Sequence, residues 1–420
     1  MINTNNSNNS QYGRSGPASG SRIFQIIRTH GPLSRAEIVM ETGLSKSSVS
    51  LHVDKLMKIG LVKEDRGQNI DDQRRRRRLK VAEDAGFVIG IDLGATSLDV
   101  ALCNLEADVL SYRSVKLLIS SGPEPVMEKI ISLIKELLKE HVVNESSLFG
   151  MGMGVPGPVE FFTGQPVSPP IMPGWHRYDI RQKLKEKFGC VVFVDNDVNV
   201  MARGEKQSGA GKSTENFIFV KVGTGIGAGI ISGGKLYRGT KGCAGDIGHI
   251  GIDGEAALCP CGNKGCLEII AAGPAIAKSG QHAAEEGRSE YLSQCMKNQG
   301  YITAKDVGAA ADHGDLTCLE IIKESGRTIG SVLSKLVNFF NPSLIVLGGG
   351  VSYLGDIFIA SIREVIYTRS LPLATSELMI KCSELINTVG MIGAAAMALD
   401  EIFSHGEVTA MVHLHSKTQK

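Results

Sequence analysis

One histidine and three cysteines constrain this 420-residue chain more tightly than any other feature. His249 closes the run Gly245-Asp246-Ile247-Gly248-His249, and Cys259, Cys261 and Cys266 follow in a C-x-C-x4-C spacing. An imidazole and three thiolates are the ligand set of a closed, tetrahedral structural zinc site. Gly, Asn and Pro residues among the cysteines let a short loop wrap around such an ion. The carboxylates Asp246 and Glu268 bracket the cluster and are left for other contacts. Nine cysteines with three of them gathered here suit a reducing cytoplasm better than a disulfide framework.

The length implies two or three domains rather than one core. No apolar run approaches the ~20 residues needed to span a bilayer. Met1–Gly20 is rich in Asn, Ser and Gly, lacks the charged-then-apolar layout of a secretory signal, and reads as a disordered tail. The net charge of +1 hides an asymmetry: residues 21–82 hold 14 Lys+Arg against 7 Asp+Glu, whereas residues 83–420 sum to −7. A small basic head on an acidic body points to a polyanionic partner for the head alone.

Within the head, Ile23, Phe24, Ile26 and Ile27 have helical spacing, and Gly31-Pro32 ends that helix. Ser34 with Glu37 three residues on predicts a capping box opening a second helix, which stops near Gly43. Ser45 caps a third helix, with Val49, Val53, Leu56 and Met57 on its 3.6-residue period and Gly60 at its end. Two short helices joined across Thr42-Gly43-Leu44 have the helix-turn-helix layout, whose second helix enters the major groove. Ser45, Lys46, Ser47, Ser48 and Ser50 would lead it there. Leu61–Asp65 and Leu79–Val81 read as the two strands of a wing, with Arg74, Arg75, Arg76, Arg77 and Arg78 between them. Five consecutive guanidinium groups suit phosphates or a narrow minor groove. The predicted head is a winged helix-turn-helix domain over residues 21–82.

The body opens on Phe87–Leu102, a predicted β-hairpin around a glycine turn, where Asp92, Gly94 and Thr96 offer a carboxylate, backbone N–H groups and a hydroxyl to Mg²⁺ and phosphate. A second hairpin, Phe217–Gly229, repeats the chemistry with Gly223, Thr224 and Gly225. Leu344–Leu347 reads as a buried strand running into Gly348 and Gly349. Val191–Val194 is a short buried strand with Asp195-Asn196-Asp197-Val198-Asn199 at its exit, and open α/β folds place ligand groups at strand carboxyl ends.

These motifs together resemble the ROK family, which groups sugar kinases with sugar-responsive repressors. The resemblance runs from about Ser21 to about His405. It implies an α/β, two-lobed actin-like ATPase body of the hexokinase/Hsp70 type behind the winged head. The expected division is a first lobe over residues 85–198 plus about 388–405, a second lobe with the zinc site over 199–387, and a tail over 406–420. It implies zinc on His249, Cys259, Cys261 and Cys266. It also implies a sugar held by Asn196, Asp197, Asp246, His249 and Glu268, with Asp197 as the general base of any phosphoryl transfer. ATP and Mg²⁺ would meet Asp92, Gly94, Thr96, Gly223, Thr224, Gly225, Gly348 and Gly349. The head, with Ser34-Arg35-Ala36-Glu37 and Gly43–Ser50, resembles that of ROK repressors, which often carry Arg where Leu51 stands. Two further departures touch the sugar pocket: Asp246 stands where ROK kinases usually have Glu, and Ser168–Trp175 lacks the Asn many relatives carry before Pro-Gly-Trp. Many ROK repressors have lost the first phosphate loop, and this chain retains it.

The expected function is that of a cytoplasmic, sugar-responsive transcriptional regulator, foremost a repressor of carbohydrate-metabolism genes, acting as a homodimer or tetramer on operator DNA without a membrane partner. The alternative is an ATP-dependent hexose or amino-sugar kinase, alone or combined with regulation. Xylose, glucose and N-acetylated amino sugars all remain open as the sugar.

Overall fold

The computed structural model describes residues 19–65 and 78–404, which form two compact units. One unit runs up to Gly86 and includes Asn104–Glu106 and the residues from Leu399 on. The other comprises Phe87–Cys103 and Ala107–Ala398.

Three helices build the first unit: α1 (Ser19–His30), α2 (Arg35–Thr42) and α3 (Lys46–Lys58). The capping box at Ser34 and Glu37 forms, with both reciprocal hydrogen bonds in place. Gly43 ends α2 in the left-handed region at φ 67°, and Ser45 caps α3 through the Ser48 N–H. Most of the apolar positions read from the sequence disappear from solvent (Ile23, Phe24, Ile27, Ile38, Val49, Val53 and Leu56), whereas Ile26 and Met57 are only half-buried and Met40 is exposed. Strands β1 (Val62–Glu64) and β2 (Leu79–Val81) pair antiparallel, and Leu33 adds a bridge to Leu79. Of the expected arginine run, Arg74–Arg77 lie outside the described residues. Arg78 pairs with Glu37 at 2.6 Å, so the carboxylate that caps α2 also holds the base of the β1–β2 connection.

The end of the chain completes this unit. The last helix, α14 (Val389–Ser404), contributes its residues from Leu399 on. Phe403 packs its ring 4.6 Å from that of Phe24, and Asp400 pairs with the buried Arg28 guanidinium.

The second unit contains two five-stranded sheets with one topology. In the first, the order is β5-β4-β3-β6-β9, from β3 (Phe87–Leu93), β4 (Ser97–Asn104), β5 (Val109–Lys116), β6 (Leu148–Val155) and β9 (Val191–Asn196). In the second it is β12-β11-β10-β13-β14, from β10 (Phe217–Val222), β11 (Ile226–Ser232), β12 (Lys235–Tyr237), β13 (Leu344–Gly348) and β14 (Met379–Cys382). Each begins as an up-and-down meander and then adds two parallel strands on the side of its first strand. This is the duplicated architecture expected of an actin-like body. The interior strands β6 and β13 are buried along their whole length, as strands covered on both faces must be.

Two further helices matter for the site. Helix α6 (Asp197–Ser208) follows β9 without a linker, and α7 (Leu267–Ala271) follows the third cysteine of the cluster. Among the described residues, no helix is long and apolar enough to cross a membrane.

Candidate sugar and metal sites

Strand β9 runs two residues further than its apolar core suggests, so Asp195 lies within it and Asn196 caps α6. The fully buried Asp195 is sustained by an ion pair with Arg238 Nε at 2.6 Å and a hydrogen bond from Asn199 Nδ2 at 3.0 Å. Arg238 in turn lies over the Phe161 ring, 3.8 Å from its centroid. The sequence shows Asp195 only as a strand-exit carboxylate and gives no sign of its pairing with Arg238. Asn196 accepts from the Val198 N–H at 2.9 Å and donates to the Gly157 carbonyl at 3.0 Å, so its amide positions the strand–helix junction. Asp197, the first residue of α6, is almost fully buried.

Asp197 has a partner that sequence reasoning missed. Lys221, in the apolar strand β10, places its Nζ 2.5 Å from Asp197 Oδ2, while Asp197 Oδ1 accepts from the Val198 N–H at 2.8 Å. The only clue in the sequence is a lysine interrupting Phe217-Ile218-Phe219-Val220-Lys221-Val222 just before a glycine turn. Burial disfavours the charged amine, but the carboxylates of Asp197, Asp92 and Asp99 more than offset this and raise the Lys221 pKa above its ordinary value.

A cavity of about 680 Å³ gathers the expected sugar residues. Asn196, Asp197, Asp246, His249 and Glu268 all line it, as do Gly94, Thr96, Gly223, Thr224 and Gly225. Glu268 Oε2 accepts from the Ile226 N–H at 3.0 Å, which fastens the start of α7 to the second glycine hairpin. A Cβ on Gly225 would lie 2.4 Å from that same carboxylate oxygen, so a side chain there would have to push the Glu268 carboxylate aside. Pro170 and Ile171 of the divergent loop also reach the cavity, while Trp175 is buried and donates its indole N–H to the Ile119 carbonyl at 3.3 Å.

An adjoining cavity of about 620 Å³ is lined by Asp92, Gly94, Asp99, Lys221, Gly348 and Gly349, among others. Gly349 has φ 85°, and a Cβ there would sit 2.4 Å from the Val222 carbonyl oxygen. Burial pushes the Asp92 carboxyl up to about 7, and its Oδ1 is buried without a hydrogen-bond partner. Lys221, Gly94 and Ser97 border both cavities.

Beside the first cavity, the ligand atoms of His249, Cys259, Cys261 and Cys266 all lie within 4.8 Å of one another. Cys259 Sγ is 3.7 Å from His249 Nδ1, and Cys261 Sγ is 3.7 Å from Cys266 Sγ. Four ligands at zinc–thiolate distance form a tetrahedron with edges of about 3.8 Å. The donor set and its spacing therefore fit a tetrahedral metal ion. His249 turns its other nitrogen, Nε2, toward Asp246 Oδ1 at 3.9 Å, on the cavity side.

In the helical unit, Ser45, Lys46 and Ser47 are exposed at the start of α3, Ser48 and Ser50 are half-buried, and Leu51 is 54% exposed. Ser34 is occupied in the cap of α2. Arg35 reaches across to α3, bonding Ser50 Oγ at 3.2 Å and Asp54 Oδ1 at 2.8 Å.

The duplicated sheets and the cavity between their glycine hairpins define an actin-like body of the sugar-kinase type. The ROK family profile matches residues 88–401, and the chain belongs to that family. The xylose repressor of Caldicellulosiruptor bescii is 32% identical over 386 residues, covering 92% of this chain and 96% of its own. A glucokinase of Halalkalibacterium halodurans is 32% identical over 308 residues, covering 73% of this chain and 93% of its own. A solved ROK family transcriptional regulator, a homologue of the Escherichia coli MLC protein, superposes with a TM-score of 0.79 at 24% identity, over 94% of this chain and 97% of its own. At that identity the likeness speaks for the fold.

Proposed function

We propose that this chain is a sugar-responsive transcriptional repressor of carbohydrate-metabolism genes, with its effector bound in the cavity lined by Asn196, Asp197, Asp246, His249 and Glu268. The observation that carries this reading is the extent of the likeness. The match to the xylose repressor spans 386 residues, too many to leave out the head, whereas the match to the glucokinase accounts for 73% of the chain.

The helical unit is a winged helix-turn-helix whose α3 enters the major groove with Ser45, Lys46 and Ser47 leading. The Arg74–Arg78 run would supply phosphate contacts. Two heads of a homodimer or tetramer would place their α3 helices about one helical turn apart on operator DNA. Sugar binding favours one arrangement of the lobes over another, and a coupling of about 1–3 kcal/mol changes operator affinity roughly 5–150-fold. Zinc, on His249 and the three cysteines, would fix the histidine's orientation toward the sugar and the fold of its loop. The setting is the cytoplasm.

A second reading, an ATP-dependent sugar kinase, is favoured by one observation: Asp92, Thr96, Thr224 and Asp197 all line the two cavities. Both readings are tested together. A DNA fragment from the chain's own promoter is titrated with protein in the presence of D-xylose, D-glucose or N-acetylglucosamine, and the same sugars are assayed with Mg-ATP. Release of DNA by a sugar without nucleotide is the expected result. Release only under ATP turnover overturns the ranking.

A further inference from the structure

A site for Mg-ATP would need a divalent cation near Asp92, and Asp197 free to take a hydroxyl proton. The Asp197 carboxylate is engaged at both oxygens, by the Lys221 ammonium at 2.5 Å and by the Val198 N–H at 2.8 Å. Lys221 also faces Asp92 and Asp99, so one fixed positive charge stands among three carboxylates where the two cavities meet. A cation of the chain's own therefore already stands among the carboxylates that a divalent ion would need.

We propose that Lys221 is a built-in cation that takes the place of a bound metal ion and makes Asp197 a fixed hydrogen-bond acceptor for a sugar hydroxyl instead of a base. The inference rests on the reading of the cavity as an effector site. The physical reason is contact. The Lys221 ammonium and the Val198 N–H each already occupy one oxygen of Asp197, so the carboxylate is held in place and not left free to carry a proton away. The same contacts orient it to accept a hydrogen bond from the sugar in the absence of metal and nucleotide. Lys221 is thus a positioning residue: it acts on the sugar through Asp197. A lysine is suited to this because its tether to β10 fixes the charge permanently beside the glycine turn.

The test compares wild type with Lys221→Arg and Lys221→Met, each loaded with zinc and checked for folding by thermal unfolding. Sugar binding (D-xylose, D-glucose, N-acetylglucosamine) is measured by calorimetry with and without MgCl2, in buffer free of chelator so that the Cys/His site keeps its metal. Wild-type affinity is expected to stay within about twofold on adding MgCl2, and Lys221→Arg to resemble it. Lys221→Met is expected to bind about tenfold more weakly or worse, and to regain most of that loss with MgCl2. A second readout needs no sugar. Mn²⁺, which lies lowest in the divalent affinity order and so leaves zinc in place, is titrated and followed by electron paramagnetic resonance. One additional bound Mn²⁺ is expected in Lys221→Met and none in wild type. The inference is overturned by Mn²⁺ binding equally to both proteins, by wild-type sugar affinity that rises about tenfold with MgCl2, or by a Lys221→Met loss that magnesium does not restore. If no sugar binds wild type, the effector reading itself falls, while the Mn²⁺ titration still decides whether Lys221 excludes a metal.

Discussion

Glu268 Oε2 and the backbone N–H of Ile226 are joined by a 3.0 Å hydrogen bond, so a carboxylate facing the cavity is also the fastening of the second glycine hairpin. Loss of that side chain removes a ligand contact and loosens Gly223–Gly225 together. Glu268→Ala is therefore expected to weaken sugar binding by about 1.5–3 kcal/mol, the range of a charge-assisted hydrogen bond, and to impair operator release in proportion. Calorimetry with DNA release measured alongside checks this. Unchanged binding would show that Glu268 serves the hairpin alone.

Asp197→Asn separates sensing from chemistry. Asn keeps the size of Asp but cannot take a proton, and any turnover should vanish. Sugar binding is expected to weaken by about 1.5–3 kcal/mol, while operator release persists at higher sugar concentration. The variant also leaves Lys221 without its closest carboxylate, so a lowered unfolding midpoint is expected in the same protein. Normal stability would mean that Asp92 or Asp99 takes over the ammonium.

The Cys/His cluster predicts one tightly held zinc per chain. Cys261→Ser should lower the zinc content measured by elemental analysis and abolish the sugar response, because His249 belongs to both the metal and the cavity. Zinc-free wild-type protein with an intact response would refute the coupling.

Salt dependence tests the head. If Arg74, Arg75 and Arg76 each contact one phosphate, replacing all three by Gln should reduce the log–log salt slope of DNA binding by about 2.7. Lys46→Ala or Ser47→Ala should instead change sequence preference, since these exposed residues lead α3. A slope unaffected by the triple change would remove the arginine run from the interface.

Much of this architecture was legible because local rules sufficed. The Ser34–Glu37 capping box, the Gly43 stop and both glycine hairpins depend on neighbours within a few residues, and each formed where the sequence placed it. The metal cluster was legible because its ligands fall within eighteen residues of one another. What escaped depends on distant partners. Lys221 reads as a flaw in an apolar strand until folding brings to it Asp197, the first residue of α6. Asp195 reads as a strand-end carboxylate, and the ion pair with Arg238, 43 residues on, is what the sequence did not show behind its complete burial. The membership of Leu399–Ser404 in the helical unit was equally hidden, because α14 runs unbroken through the point where the unit changes.

That membership has a consequence for synthesis. Arg28 and Asp400 are separated by 372 residues, so the ribosome adds the second long after the first, roughly 20 to 75 s later at common elongation rates. Until then the hydrophobic partner of Phe24 does not exist. The unit proposed to grip DNA is thus completed only after its sugar-sensing body has been translated. A nascent or prematurely terminated chain would lack a finished head and could not silence a gene that no effector was yet able to free.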